Sequence, residues 1–167
     1  MNTTFLGKGI GAGLFLWYFW YCVLYPNTGH FIDGVNLIFH EAGHAICFFM
    51  PALITAAAGS VFQILIPAVC GFYFWQRREV LSASLLSLWL AQNIVGVSLY
   101  VRDALPMQLP LLGGDSSIHD WHFILTSLDL LPYSILIADI LYVVALCILI
   151  GGTGMVLYQI YTTYENA

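Results

Sequence analysis

From Ala42 to Gln76, and again from Ile140 to Tyr164, this chain carries no Lys, Arg, Asp or Glu. A water-soluble fold cannot keep its surface wet with runs like these. An apolar helix of roughly 20 residues, by contrast, matches the hydrocarbon thickness of a bilayer. The composition agrees: 60% of residues are hydrophobic and 8% charged, against about 25% charged in a soluble domain. The chain therefore reads as all-α, a polytopic transmembrane helix bundle of about five or six spans. It forms a single integral membrane domain over residues 1–167, surrounded by membrane lipid. The net charge of -5 arises from few groups and includes no basic patch, which argues against a nucleic-acid partner. Cys22, Cys47, Cys70 and Cys147 all lie in apolar runs and form no CxxC pair. They read as small buried hydrophobes.

The first span is predicted over about Ile10 to Tyr25. It is crowded with aromatics and lacks a small-residue cleavage site, so it reads as a retained span rather than a signal peptide. A short polar loop follows, with Asp33 as a plausible N-cap. The second span is expected over about Val35 to Ala58, kinked or ended by Pro51. Gly59-Ser60 should break the chain before a third span, about Val61 to Trp75. Gln76-Arg77-Arg78-Glu79 is an interfacial loop. The fourth span, about Val80 to Val101, contains Gln92 and Asn93, which suit interhelical hydrogen bonds. The segment from Ala104 to Asp120 is too polar and broken to span. His122 to Leu131 suits one short, re-entrant helix, and Pro132 opens a last span to about Tyr161. If every span crosses, Lys8 and Arg102 share one side and Arg77 with Arg78 the other. The positive-inside rule then splits two against two.

One of these runs holds His40-Glu41-Ala42-Gly43-His44. On a helix, HExxH puts two imidazoles on one face at i and i+4, where both can bind one zinc ion. The intervening Glu41 can serve as general base toward a water that the metal activates. Ionisable groups are costly inside a membrane and mark function there. A catalytic zinc needs a third protein ligand. The local extension HExxHxxGxxH fails, because Cys47 stands where Gly would be and Met50 where His would be. A second polar cluster supplies Asp115, His119, Asp120 and His122. Were it helical, Asp115, His119 and His122 would share a face. Gly113-Gly114 reads better as a loop, with a helix starting near Ser117 and Asp120 in its first turn. His119 and Asp120 rank first as the third ligand, then Asp115, then His122. Asp129 reads as a helix cap, and His30 as an interfacial group. Asp139, about two turns into the last span, is expected to face the protein interior, as a structural partner, an orienter of a ligand or a distant ligand.

The pattern resembles the site-2-type intramembrane zinc metalloproteases, which carry HExxH in one span and complete the zinc site with an Asp from a later one. In that family Gly-Pro-x-x-Asn opens the next span. Here Gly59-Ser60-Val61-Phe62-Gln63 has the same offset, with Ser for Pro and Gln for Asn. The family's third ligand typically lies in Asn-Pro…Leu-Asp-Gly, where this chain has Gly-Gly-Asp and His-Asp-Trp-His. The resemblance is that of a divergent, minimal relative and is carried by residues 33–63. It implies Zn2+ as cofactor and a transmembrane protein as substrate. Gln63 is expected to offer its amide to the substrate carbonyl, and Glu41 to move the proton. Two other functions fit the same residues. One is a metal-binding subunit of a larger complex with membrane-protein partners; the other is a small membrane zinc hydrolase acting on a non-peptide substrate.

Overall fold

A computed structural model describes residues 3–110, 112 and 119–165. Among these residues there are six α-helices and no strand: α1 (Thr3–Leu24), α2 (Phe31–Ile46), α3 (Ala52–Gln76), α4 (Val80–Arg102), α5 (Asp120–Ser127) and α6 (Ser134–Glu165). A short 3-10 turn, Leu131–Tyr133, leads into α6. Three segments are long and apolar enough to cross a membrane: α3, α4, and Leu131–Glu165. Five or six spans are expected from the apolar runs; α1 offers only a shorter apolar stretch, Gly9–Leu24, and the rest of the difference has a local cause.

That cause lies in the expected second span, which the structure divides. α2 stops at Ile46 and has 16 residues, about 24 Å of helix against a hydrocarbon core of about 30 Å. The chain then turns through Cys47–Met50, and Pro51 becomes the N-cap of α3. Proline is tolerated there because no N–H is needed. Thr55 secures the turn by donating its hydroxyl to the carbonyls of Cys47 at 2.9 Å and Met50 at 3.2 Å. Both carbonyls belong to the turn that follows α2. Gly59-Ser60 does not break the chain; both residues are buried inside α3.

α2 also begins earlier than the sequence implies. Its N-cap is His30, and Asp33 occupies the third helical position, where its carboxylate accepts from the His30 backbone N–H at 2.7 Å. An acidic group there meets both a free N–H and the positive end of the helix dipole.

α4 is the central helix and packs against α1, α3, α5 and α6. Two clusters form the core around it. One joins Phe19 and Val23 of α1 with Leu88, Ala91 and Val95 of α4 and Ala145 and Leu149 of α6. The other joins Val97 and Val101 with Leu125 of α5 and Ala138 of α6. α2 lies along α3 at close range: a Cβ added to Gly43 would sit 2.3 Å from the Ala58 carbonyl oxygen. Only a glycine permits that approach. The other faces of α3 and α6 expose Val61, Leu65, Val69, Ile140, Val143 and Ile150, the pattern of a helix facing hydrocarbon rather than water.

Asp139 does not face the interior. It is exposed and pairs with Arg102, because it lies near the start of α6, level with the end of α4. Asp129 follows α5 in the left-handed region, with φ 57°, a conformation that Asp tolerates better than most residues. It ends a helix rather than starting one.

Candidate metal centre

Helical spacing puts Asp33, Asn36, His40 and His44 on one face of α2. The structure turns this face toward α3 and α4. Asn36 donates to the Gln92 side-chain oxygen at 2.7 Å and accepts from the Trp89 indole N–H at 2.8 Å. The Gln92 amide donates to Asp33 at 2.8 Å. These bonds fix the rotation of α2 just before the two histidines.

His40 and His44 meet Asp120, which comes from α5. Oδ2 of Asp120 lies 3.1 Å from Nε2 of His40 and 3.2 Å from Nε2 of His44. One ligand atom from each residue falls within 4.8 Å of the others. Four ligands placed tetrahedrally at about 2.0–2.1 Å from zinc would stand about 3.3 Å apart, so both measured separations fit such a site.

The hydrogen bonds behind the rings sharpen this fit. Nδ1 of His44 lies 2.8 Å from the Thr55 carbonyl oxygen. A carbonyl only accepts, so Nδ1 carries the proton and Nε2 of the neutral ring is a bare lone pair. That lone pair faces a carboxylate oxygen. Two acceptors at 3.2 Å require a cation between them or a second proton on the ring. His40 repeats the arrangement, with Nδ1 3.3 Å from Oε1 of Gln63. Both imidazoles are thus held as metal-ligating histidines are, by an acceptor behind the ring.

Gly59 lies directly beneath the pair. A Cβ there would come within 2.5 Å of Nε2 of both His40 and His44. The side chain that glycine lacks leaves the volume that the rings occupy.

Of the other expected ligands, His119 is turned away. Its Nε2 is 3.2 Å from Oδ2 of Asp103, and its Nδ1 accepts from the His122 N–H at 3.2 Å. Burial draws its pKa below the ordinary imidazole value, against the opposing pull of Asp103. Neither ring nitrogen is left to bind a metal beside His40. The reason is geometric: consecutive residues at a helix start point in different directions, and α5 docks with Asp120 inward. His122, whose Nδ1 lies 2.7 Å from the Ala104 carbonyl, is not among the three residues that converge. Asp115 lies outside the described residues. His30 binds the Tyr25 carbonyl at 2.9 Å, near the loop where it is expected. Gln63 is buried, and its amide oxygen is directed at His40. That contact uses the amide oxygen, and Gln63 also lines the cavity into which the centre opens.

The centre opens into a cavity of about 1420 Å³ whose walls include His40, His44, Glu41, Asp120, Gln63 and Tyr100. Glu41 is exposed to it. Among the described lining residues the acidic groups are Asp33, Glu41 and Asp120, and none is Lys or Arg. Residues that the sequence leaves unmarked also contribute. Thr55 acts through its backbone carbonyl, which has no sequence signature, and Tyr100 lies 20 residues from the Asp120 that it contacts.

Compared with known proteins, the chain matches no family model, no curated protein and no solved structure.

Proposed function

We propose that this protein is a multi-pass integral membrane zinc metallopeptidase that hydrolyses peptide bonds of transmembrane protein substrates. The observation that carries this reading is the convergence of His40, His44 and Asp120, with the Nε2 lone pair of His44 aimed at a carboxylate oxygen. His40, His44 and Asp120 would hold the ion. Bound there, zinc would supply the Lewis acidity that activates a water and polarises a carbonyl.

The chain's own groups do the rest. Glu41 follows His40 directly and faces the cavity, where it takes the proton of the attacking water and returns it to the departing amide nitrogen. The Thr55 carbonyl and Gln63 keep the two rings in the ligating tautomer. The cavity exceeds the usual 300–1,000 Å³ of small-molecule pockets, which suits an extended segment of polypeptide. A substrate helix has to unwind to expose a peptide bond there.

The test is metal content per chain in detergent-purified protein, wild type beside His44→Ala, followed by cleavage of a transmembrane substrate. About one zinc in wild type, lost in His44→Ala, is expected. Glu41→Gln should retain the zinc and abolish cleavage. Metal-replete wild type without zinc would overturn the metal assignment, and cleavage by Glu41→Gln would overturn the assignment of the base.

A further inference from the structure

Asp120 is the one member of the centre that does not come from a long helix. α5 has eight residues, too few to be stable without tertiary support. Something outside α5 has to aim the carboxylate, and the last turn of α4 does so. The Tyr100 hydroxyl accepts from the Asp120 backbone N–H at 3.1 Å and donates to Asp120 Oδ2 at 3.3 Å. One hydroxyl can do both, having one donor and two acceptor positions. Three residues on, Asp103 grips the preceding residue: its Oδ2 accepts from His119 Nε2 at 3.2 Å. The Asp103 carboxylate also accepts from the backbone N–H groups of Gln108 and Leu109, at 2.9 and 3.0 Å. The Tyr100 and His119 rings pack with centroids 4.3 Å apart.

We infer that Tyr100 and Asp103 are positioning residues that form a bracket on α4, holding His119 and Asp120 so that Asp120 Oδ2 meets both imidazoles. This rests on the metal-site reading above. The bracket explains why a remote segment can complete the site. Tyr100 and Asp103 share one face of a central, well-packed helix, and two consecutive residues of the arriving chain are each bound to it. His119, which is no ligand, thereby acquires a part: it sets the register of its neighbour.

The experiment compares zinc affinity by chelator competition, and the visible spectrum of the Co2+-substituted protein, in Tyr100→Phe, Asp103→Asn, Asp120→Ala and Trp121→Phe. Trp121 also docks α5, through its indole N–H to Ser60 at 3.0 Å, a hydrogen bond that involves neither bracketed side chain. Removing the Tyr100 hydroxyl should weaken zinc about 10- to 100-fold, as loss of a ligand's supporting partner does. It should also change the Co2+ spectrum, which reports coordination geometry. Asp103→Asn should act in the same direction. Trp121→Phe should lower the melting temperature and leave affinity and spectrum as in wild type. Wild-type affinity in Tyr100→Phe beside its loss in Asp120→Ala would overturn the bracket and leave the metal site standing. Equal weakening by Trp121→Phe would also overturn it, since general docking of α5 would then suffice. A wild-type protein without zinc would overturn the metal site itself.

Discussion

Gly59→Ala should separate metal binding from stability. An added Cβ would lie 2.5 Å from Nε2 of His40 and of His44, whereas carbon contacts settle at about 3.5 Å. Something must yield by roughly 1 Å. The rings can swing, but His44 is tied to the Thr55 carbonyl and His40 to Gln63. Each hydrogen bond lost costs about 1 kcal/mol. Crowding of a packed interior costs about 1–3 kcal/mol, offset by about 1 kcal/mol from the better helix propensity of alanine. The metal-free protein should therefore lose about 0–2 kcal/mol if both ring bonds survive and up to about 4 kcal/mol if both are lost. The site should lose far more, because ligand distances tolerate about 0.2 Å. Gly71→Ala, on the same helix, is the control. Its Cβ would meet Leu86 at 3.7 Å and the Ala83 carbonyl at 3.9 Å, both ordinary contacts. It should be neutral or stabilising by up to about 1 kcal/mol and should leave the metal in place. The assay is paired: melting of the metal-free protein in detergent, and zinc per chain after dialysis against a weak chelator. A Gly59→Ala protein that melts higher than wild type and holds a full zinc would refute this packing.

Gly43→Ala should destabilise by about 1–3 kcal/mol even without metal, since the Cβ would meet the Ala58 backbone at 2.3 and 2.7 Å, where no side chain can move aside. An unchanged melting temperature would contradict the close crossing of α2 and α3. Gln92→Ala should cost about 1–3 kcal/mol for each group left unpaired, because Asn36 and Asp33 both lose a partner. Combined with Asn36→Ala, the loss should be less than additive, and strict additivity in a denaturation series would show that the network is not one unit.

The chain's helices and the first half of its site are local matters and could be read from residues in order. The uncharged stretches through 42–76 and 140–164 demand apolar helices because unsatisfied backbone groups are too costly in hydrocarbon. HExxH places His40 and His44 together by helical geometry alone, whatever surrounds them. The end of α2 was not legible, because Pro51 permits either a kink inside one helix or the start of another. The Thr55 bonds across the Cys47–Met50 turn decide it in favour of the second, and they depend on how α2 and α3 lie together. Gly59 looks like a breaker in sequence. In three dimensions it makes room for two imidazoles.

The choice between His119 and Asp120 shows the same division. Adjacent in sequence, both are plausible ligands by chemistry. Their side chains leave the start of α5 in different directions, and only the docking of that helix against α4 determines which is directed at the histidines. Residue types and helical periodicity thus determined a membrane-type helical chain with two histidines and a glutamate in one helical turn. The completed centre depended on contacts such as Tyr100 with Asp120 and Asp103 with His119, which join segments 16 to 20 residues apart through packing that no local rule encodes.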